Sequence, residues 1–132
     1  MILDTSAVVA VLAGEAEAPL LARLLVDDED TVIGAATLVE LSVVLQSRWP
    51  QRGMTDLRAF LDEFNVREIP FAVDQWRYAA SGFAVYGRGR HPAALSLGDC
   101  FTYAAAKASG LPLLCVGNDF AQTDLELVPL EV

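Results

Sequence analysis

Met1-Ile2-Leu3-Asp4-Thr5-Ser6-Ala7 opens the chain with a short apolar run that stops on a carboxylate and passes directly into Val8-Val9-Ala10-Val11-Leu12-Ala13. A run this short fits one crossing of a buried sheet, and the longer stretch behind it fits a covering helix, so the two together read as half of a βα unit. The same figure recurs along the chain. Strands are expected at about 1 to 4, 31 to 34, 66 to 70, 112 to 116 and 126 to 130. Helices are expected at about 5 to 13, 16 to 27, 36 to 48, 54 to 64, 73 to 86 and 97 to 109. Strands alternating with helices predict an α/β fold, a mostly parallel sheet covered by helices.

Local signals support these spans. Leu20, Leu21, Leu24 and Leu25 form the stripe of a helix with one buried face, and Leu57, Phe60, Leu61 and Phe64 repeat it. Thr55 and Asp74 read as helix starters, and Gly110 followed by Pro112 reads as a helix stop before a strand. The one long irregular piece is Tyr86-Gly87-Arg88-Gly89-Arg90-His91-Pro92.

At 132 residues the expectation is one domain, 1–132, around a single core. Hydrophobic residues make up 54% and the mean hydropathy is +0.39, yet charges interrupt every apolar run before it reaches the roughly 20 residues of a bilayer span. No membrane association is expected. The start lacks a basic n-region and a cleavage site, so a cytoplasmic location is the default expectation. Cys100 and Cys115 have no zinc-like spacing and sit in apolar surroundings, as reduced core thiols do. Nine basic and eighteen acidic side chains give a net charge of -9, which taken alone argues against a polyanionic partner. Bound metal would offset part of that charge, and Asp27, Asp28, Glu29 and Asp30 read as a remote solvated cluster.

Three carboxylates stand alone in apolar runs. Asp4 closes Met1-Ile2-Leu3, Glu40 interrupts Ala35 to Leu45, and Asp99 lies between Leu95-Ser96-Leu97-Gly98 and Cys100-Phe101-Thr102-Tyr103-Ala104. A buried, unpaired carboxylate costs several kcal/mol, and no lysine or arginine is near any of them in sequence. If the fold gathers them, a divalent cation is the economical partner. Asp119, just past the expected fourth strand, can join them at the carboxyl end of the sheet, where ligands of open α/β sheets collect. Plainer readings exist for each: Asp4 as a helix cap, Asp99 as an acid at a helix dipole, Asp119 as a turn residue. Glu40 resists one, because Ala36, Val43 and Val44 share its helix face.

Arg88, Arg90 and His91 concentrate positive charge a few residues before Asp99, and read either as a phosphate-gripping flap or as a solvated loop. Trp49, Trp76, Tyr78 and Tyr86 could stack on bases, but Trp76 and Phe83, seven apart on one helix, read better as core or dimer-interface residues. If the apolar stripes at 16 to 27 and 36 to 48 exceed what one core covers, the excess must bury against another chain.

The set Ile2-Leu3-Asp4-Thr5-Ser6-Ala7, Ala36-Thr37-Leu38-Val39-Glu40, Ser96-Leu97-Gly98-Asp99-Cys100, and Pro112-Leu113-Leu114 with Gly117-Asn118-Asp119-Phe120 resembles, in this order and over the whole chain, the PIN domain, specifically the VapC ribonuclease toxins of bacterial toxin–antitoxin modules. The resemblance implies a three-layer α/β/α fold around a five-stranded sheet. It also implies a metal-dependent endoribonuclease that leaves 3′-hydroxyl and 5′-phosphate ends, with Mg²⁺, or Mn²⁺ in its place, on Asp4, Glu40 and Asp99. Asp119 matches the second acid of a terminal Asp-x-Asp-Phe pattern whose first acid is replaced by Gly117 here, leaving it open between a fourth ligand, a supporting role and a ligand of a second metal. Thr5 or Ser6 would hold Asp4 or a water by a hydroxyl hydrogen bond. The implied partners are RNA, a VapB-like antitoxin whose chain end enters the crevice, and a second copy in a homodimer. A silent PIN-like binding module is the rival reading; a phosphotransfer domain would want an acid two residues after Asp4, where Ser6 stands.

Overall fold

The computed structural model describes residues 1–130. Strands β1 (Ile2–Leu3), β2 (Val32–Gly34), β3 (Arg67–Ile69) and β4 (Leu113–Leu114) alternate with helices α1 (Thr5–Ala13), α2 (Ala18–Asp27), α3 (Ala35–Arg48), α4 (Gly53–Glu63), α5 (Gln75–Tyr86) and α6 (Leu97–Ser109). All strand pairs are parallel, in the order β3-β2-β1-β4. Parallel neighbours need crossovers, and the helices supply them.

Side-chain alternation decides which helices cover which face. Leu3, Ile33 and Leu114 pack with Ala7, Val8, Leu21, Leu25, Leu41, Leu45, Leu57 and Phe60, placing α1 to α4 on one side. Ile2, Val32, Leu113 and Cys115 pack with Leu95, Cys100, Tyr103, Ala105 and Ala106, placing α6 on the other. Three layers result. The α6 layer sits close because its inward side chains are small: a Cβ added at Gly34 would already be 3.0 Å from the Ala105 Cβ.

The chain works outward from β1 through β2 to β3 and then returns to set β4 on the free side of β1. That reversal opens a crevice at the carboxyl ends of β1 and β4. The expected fifth strand at 126–130 is reduced to one bridge between Leu113 and Leu127. There the Leu113 N–H donates to the Glu126 carbonyl (2.9 Å) and the Val128 N–H to the Leu113 carbonyl (2.8 Å). Pro129 follows without an N–H, so the ladder stops.

Two local expectations shift. Helix α4 begins at Gly53 with Arg52 as its N-cap, so Thr55 lies inside the first turn and does not start it, the Gly53 N–H donating to the Trp49 carbonyl at 2.8 Å. The acidic cluster is only partly solvated: Asp28 accepts from the Met1 amine (3.0 Å) and the Thr31 hydroxyl (2.7 Å), and these partners outweigh burial and hold its carboxyl below the usual range. Cys100 and Cys115 are buried free thiols, as expected. No helix among the described residues is long and apolar enough to cross a membrane.

Candidate active site

Asp4 is the first residue after β1 and the N-cap of α1. The cap reading of it holds. Its Oδ2 accepts from the Ser6 backbone N–H (3.1 Å) and the Ser6 hydroxyl (2.6 Å), and its Oδ1 accepts from the Thr102 hydroxyl (2.7 Å). Ser6 Oγ accepts in turn from the Val116 N–H at 2.9 Å, fastening the end of β4 to the same carboxylate. These donors let Asp4 remain at 5% exposure.

Asp99 occupies the third position of α6 and completes a capping box: the Ser96 N–H donates to its Oδ2 (3.0 Å) and its own N–H donates to Ser96 Oγ (3.2 Å). Glu40, half-buried in the second turn of α3, accepts from the Thr5 hydroxyl at 2.6 Å through Oε1. Its other oxygen lies against the backbone of Gly98, where a Cβ would fall inside the carboxylate. Of the two expected hydroxyl supports, Ser6 serves Asp4 and Thr5 serves Glu40.

Asp119 lies exposed in the turn beyond β4, and charge ties it to the others. Burial first, then the charges of Asp99 and Asp4, push its carboxyl up. Glu40 is pushed up by burial, held back by the Thr5 hydrogen bond, and pushed up further by Asp4 and Asp99. Glu40 and Asp119 therefore each feel both Asp4 and Asp99. Meanwhile Arg52, Arg67, Arg77 and Lys107 pair with acids elsewhere, and among the described residues no cation pairs with Asp4, Glu40, Asp99 or Asp119.

Among the described residues no three Asp, Glu, His or Cys side chains already converge closely enough to hold an ion. Asp4, Glu40 and Asp99 each rest on a hydroxyl or amide donor of their own. The donor set nonetheless suits a hard divalent cation: all oxygen, strongly negative, without a competing cation. Glu40 Oε2 and Asp99 Oδ1 accept no protein hydrogen bond among the described residues. The thiols offer no rival chemistry, since burial first and then Asp4 and Asp119 push Cys115 up to about 12, while burial and Asp99 push Cys100 up.

The basic loop is pinched at its base by the Leu95 N–H donating to the Tyr86 carbonyl (2.9 Å) and the Arg88 N–H donating to the Leu95 carbonyl (3.1 Å). It thus leads straight into Ser96 and the helix that carries Asp99. Arg88 is exposed, whereas Arg90 lies over the Phe83 ring at 5.4 Å. His91 is committed to the turn, its Nδ1 accepting from the Ala93 N–H at 3.0 Å and its ring edge-on to Tyr86 at 5.2 Å. Among the described residues none of the three bonds to the four acids. Trp76 (54% exposed) and Phe83 (40%) stand on the outer surface, which overturns the core reading of both.

Sequence reasoning missed Thr37, Ser96, Gly98 and Thr102. A usable signal existed: Thr37 precedes Glu40 and Thr102 follows Asp99 by three residues, one helical turn in each case.

The raised Glu40 carboxyl makes a test. A carboxyl raised on folding adds stability that is full below its unfolded value and lost as pH rises through the folded one. Thermal melts in EDTA should show Glu40→Gln gaining on the wild type as pH climbs from the ordinary value of 4.5 toward neutrality. A constant difference across that window would show that neither burial nor its acidic neighbours raise the Glu40 carboxyl.

The family model described as "PIN domain" matches residues 1–126. A protein named Ribonuclease VapC, from Mycolicibacterium smegmatis, is 40% identical over 128 residues, 97% of this chain and 99% of that protein. Among solved structures, VapC20 of Mycobacterium tuberculosis, described as a sarcin–ricin loop cleaving toxin, superposes with a TM-score of 0.73 at 20% identity, covering 96% of this chain and 97% of that one. A toxin–antitoxin complex from Klebsiella pneumoniae gives 0.71 at 19% identity, covering 98% and 97%. At such identities the two structures speak for the fold.

Proposed function

The chain belongs to the PIN domain family and, within it, to the VapC ribonucleases, and from that premise we propose that it is a metal-dependent endoribonuclease, the toxic partner of a type II toxin–antitoxin pair. The single observation that supports the metal dependence is the placement of Asp4, Glu40 and Asp99 round one sheet switch point, Glu40 being held by Thr5 beside Asp4 and lying against Gly98 beside Asp99, with no cation paired to the three among the described residues. Asp4, Glu40 and Asp99 would hold Mg²⁺, or Mn²⁺ in its place, with Asp119 either joining them or steadying them from the rim. When bound, such an ion supplies Lewis-acid activation of water and offsets charge on the phosphate oxygens. The chain supplies the rest. Ser6, Thr5 and the Ser96 N–H each fix one carboxylate oxygen, so the acids meet the substrate already oriented.

The whole chain, 1–132, acts as one PIN domain in the cytoplasm, where its RNA substrates are. Its protein partners are a VapB-like antitoxin and a second copy of itself. Val39 and Val43 on α3, Trp76 and Phe83 on α5 and Leu97 on α6 are exposed apolar residues, the excess that a homodimer would bury.

The test is an RNA cleavage assay with Mg²⁺ and with EDTA, mapping the new 5′ ends. Cutting that EDTA leaves untouched would refute the metal dependence. In the same system Arg88→Ala with Arg90→Ala should weaken RNA binding and flatten the log–log salt slope by about 1.4, from roughly 0.7 per phosphate contact on a single strand. An unchanged slope would return the loop to a solvated turn.

A further inference from the structure

Beneath the carboxylates lie two threonines to which the sequence reading gave no role. Thr102 is fully buried at 0% exposure and Thr37 at 1%. Thr102 has one hydroxyl proton, and it goes to Asp4 Oδ1 at 2.7 Å. The 3.4 Å contact between the two hydroxyls therefore has Thr37 as donor and Thr102 as acceptor. The hydrogen-bonded line runs from α3 through α6 to the end of β1. Those three elements carry Glu40, Asp99 and Asp4, and each threonine stands one helical turn from the acid on its own helix.

A carboxylate offers about four lone-pair directions. Thr102 Oγ1, Ser6 Oγ and the Ser6 N–H occupy three on Asp4, which leaves about one for an ion. Ser6 sits on the same turn of chain as Asp4, so it fixes that carboxylate only relative to β1 and α1. Thr102 alone fixes it relative to the helix bearing Asp99. We infer that Thr102 is the positioning residue of the metal site: its hydroxyl, backed by Thr37, holds Asp4 in the one orientation from which Asp4 and Asp99 can share an ion. This rests on the reading of the acid cluster as a metal site. Partners that orient a ligand from behind typically change metal affinity by 10- to 100-fold.

The experiment is calorimetric titration of the full chain with Mn²⁺ at one pH, alongside melts in EDTA. Thr102→Val keeps the branched shape and removes the hydroxyl; its Mn²⁺ affinity should fall about 10- to 100-fold. Thr102→Ser restores the donor and should recover most of the affinity, which a purely steric role would not give. Wild-type affinity in a folded Thr102→Val protein, even with a lowered melting temperature, would overturn the inference. Should the valine protein fail to fold, Thr102→Cys fills similar volume with a weak donor, and the same fall is expected; wild-type affinity there would equally overturn it. Asp99→Asn separates the two readings. If Asp99→Asn loses Mn²⁺ while Thr102→Val retains it, the positioning role alone is wrong, and if Asp99→Asn also retains it, the metal site itself is wrong.

Discussion

Asp99→Asn should abolish Mn²⁺ binding and cripple RNA cleavage in a protein that folds as the wild type does. The expectation follows from the division of labour between the two oxygens of Asp99. Oδ2 accepts from the Ser96 N–H, a role an amide oxygen can take over, so the capping box and the start of α6 survive. The other oxygen, which accepts no hydrogen bond among the described residues, becomes an amide nitrogen that cannot bind a cation. Removing about 4 kcal/mol of charge stabilisation in the transition state corresponds to roughly a 10³-fold loss of rate. The fold should be as stable or steadier in EDTA, because Asp99 is one of the charges that push Glu40 and Asp119 up. A ligand at about 100 times its Kd stabilises by about 2.7 kcal/mol. The wild type should show that gain with Mn²⁺ and the variant should show none. Equal gains in both proteins would remove Asp99 from the site. Asp4→Asn should act in the same direction, with its amide oxygen turned to the Ser6 N–H.

Gly98→Ala should separate activity from stability in the same sense, by a different route. Alanine in place of a helical glycine favours the fold by roughly 0.5–1 kcal/mol, and the three atoms nearest its Cβ all belong to one side chain. What stands in the way is the Glu40 carboxylate, the movable end of a side chain. Glu40 must swing aside and give up its 2.6 Å bond from Thr5. A displacement of about 1 Å at a reacting centre can cost about 10²-fold, so cleavage should drop by that order while the melting temperature holds or rises. Pairing Gly98→Ala with Glu40→Asp, one methylene shorter, should recover part of the loss. Full activity in Gly98→Ala would mean that the close approach of α6 to Glu40 has no part in the chemistry.

The exposed apolar residues show how far pattern reading reaches. Trp76 and Phe83 lie seven apart on one helix, and that spacing established a shared face, which they have. It could not establish which way the face turns. Burial depends on what packs opposite, and the inner side of α5 is taken by Gln75 and Gly82, the latter with the Tyr103 ring against it. His91 is a similar case. Its charge suggested RNA, but the turn uses its ring nitrogen as an acceptor.

Hydrophobic alternation and the βα rhythm by themselves determined the helices to within about two residues, the parallel sheet, and the candidacy of Asp4, Glu40, Asp99 and Asp119, because periodicity and isolated charge are local properties. Tertiary structure alone decided that Thr5 serves Glu40 and Thr102 serves Asp4, across 35 and 98 residues of chain. It alone gave Gly98 its purpose as the gap that admits a carboxylate. The expected fifth strand also failed at this level, since a ladder needs a run of N–H donors in register with a neighbour and Pro129 ends that run. Hydrogen bonds between hydroxyls and carboxylates act over about 3 Å. A chain can announce that it holds such groups, but only the packing of α3 and α6 against the end of β1 brings them within that distance.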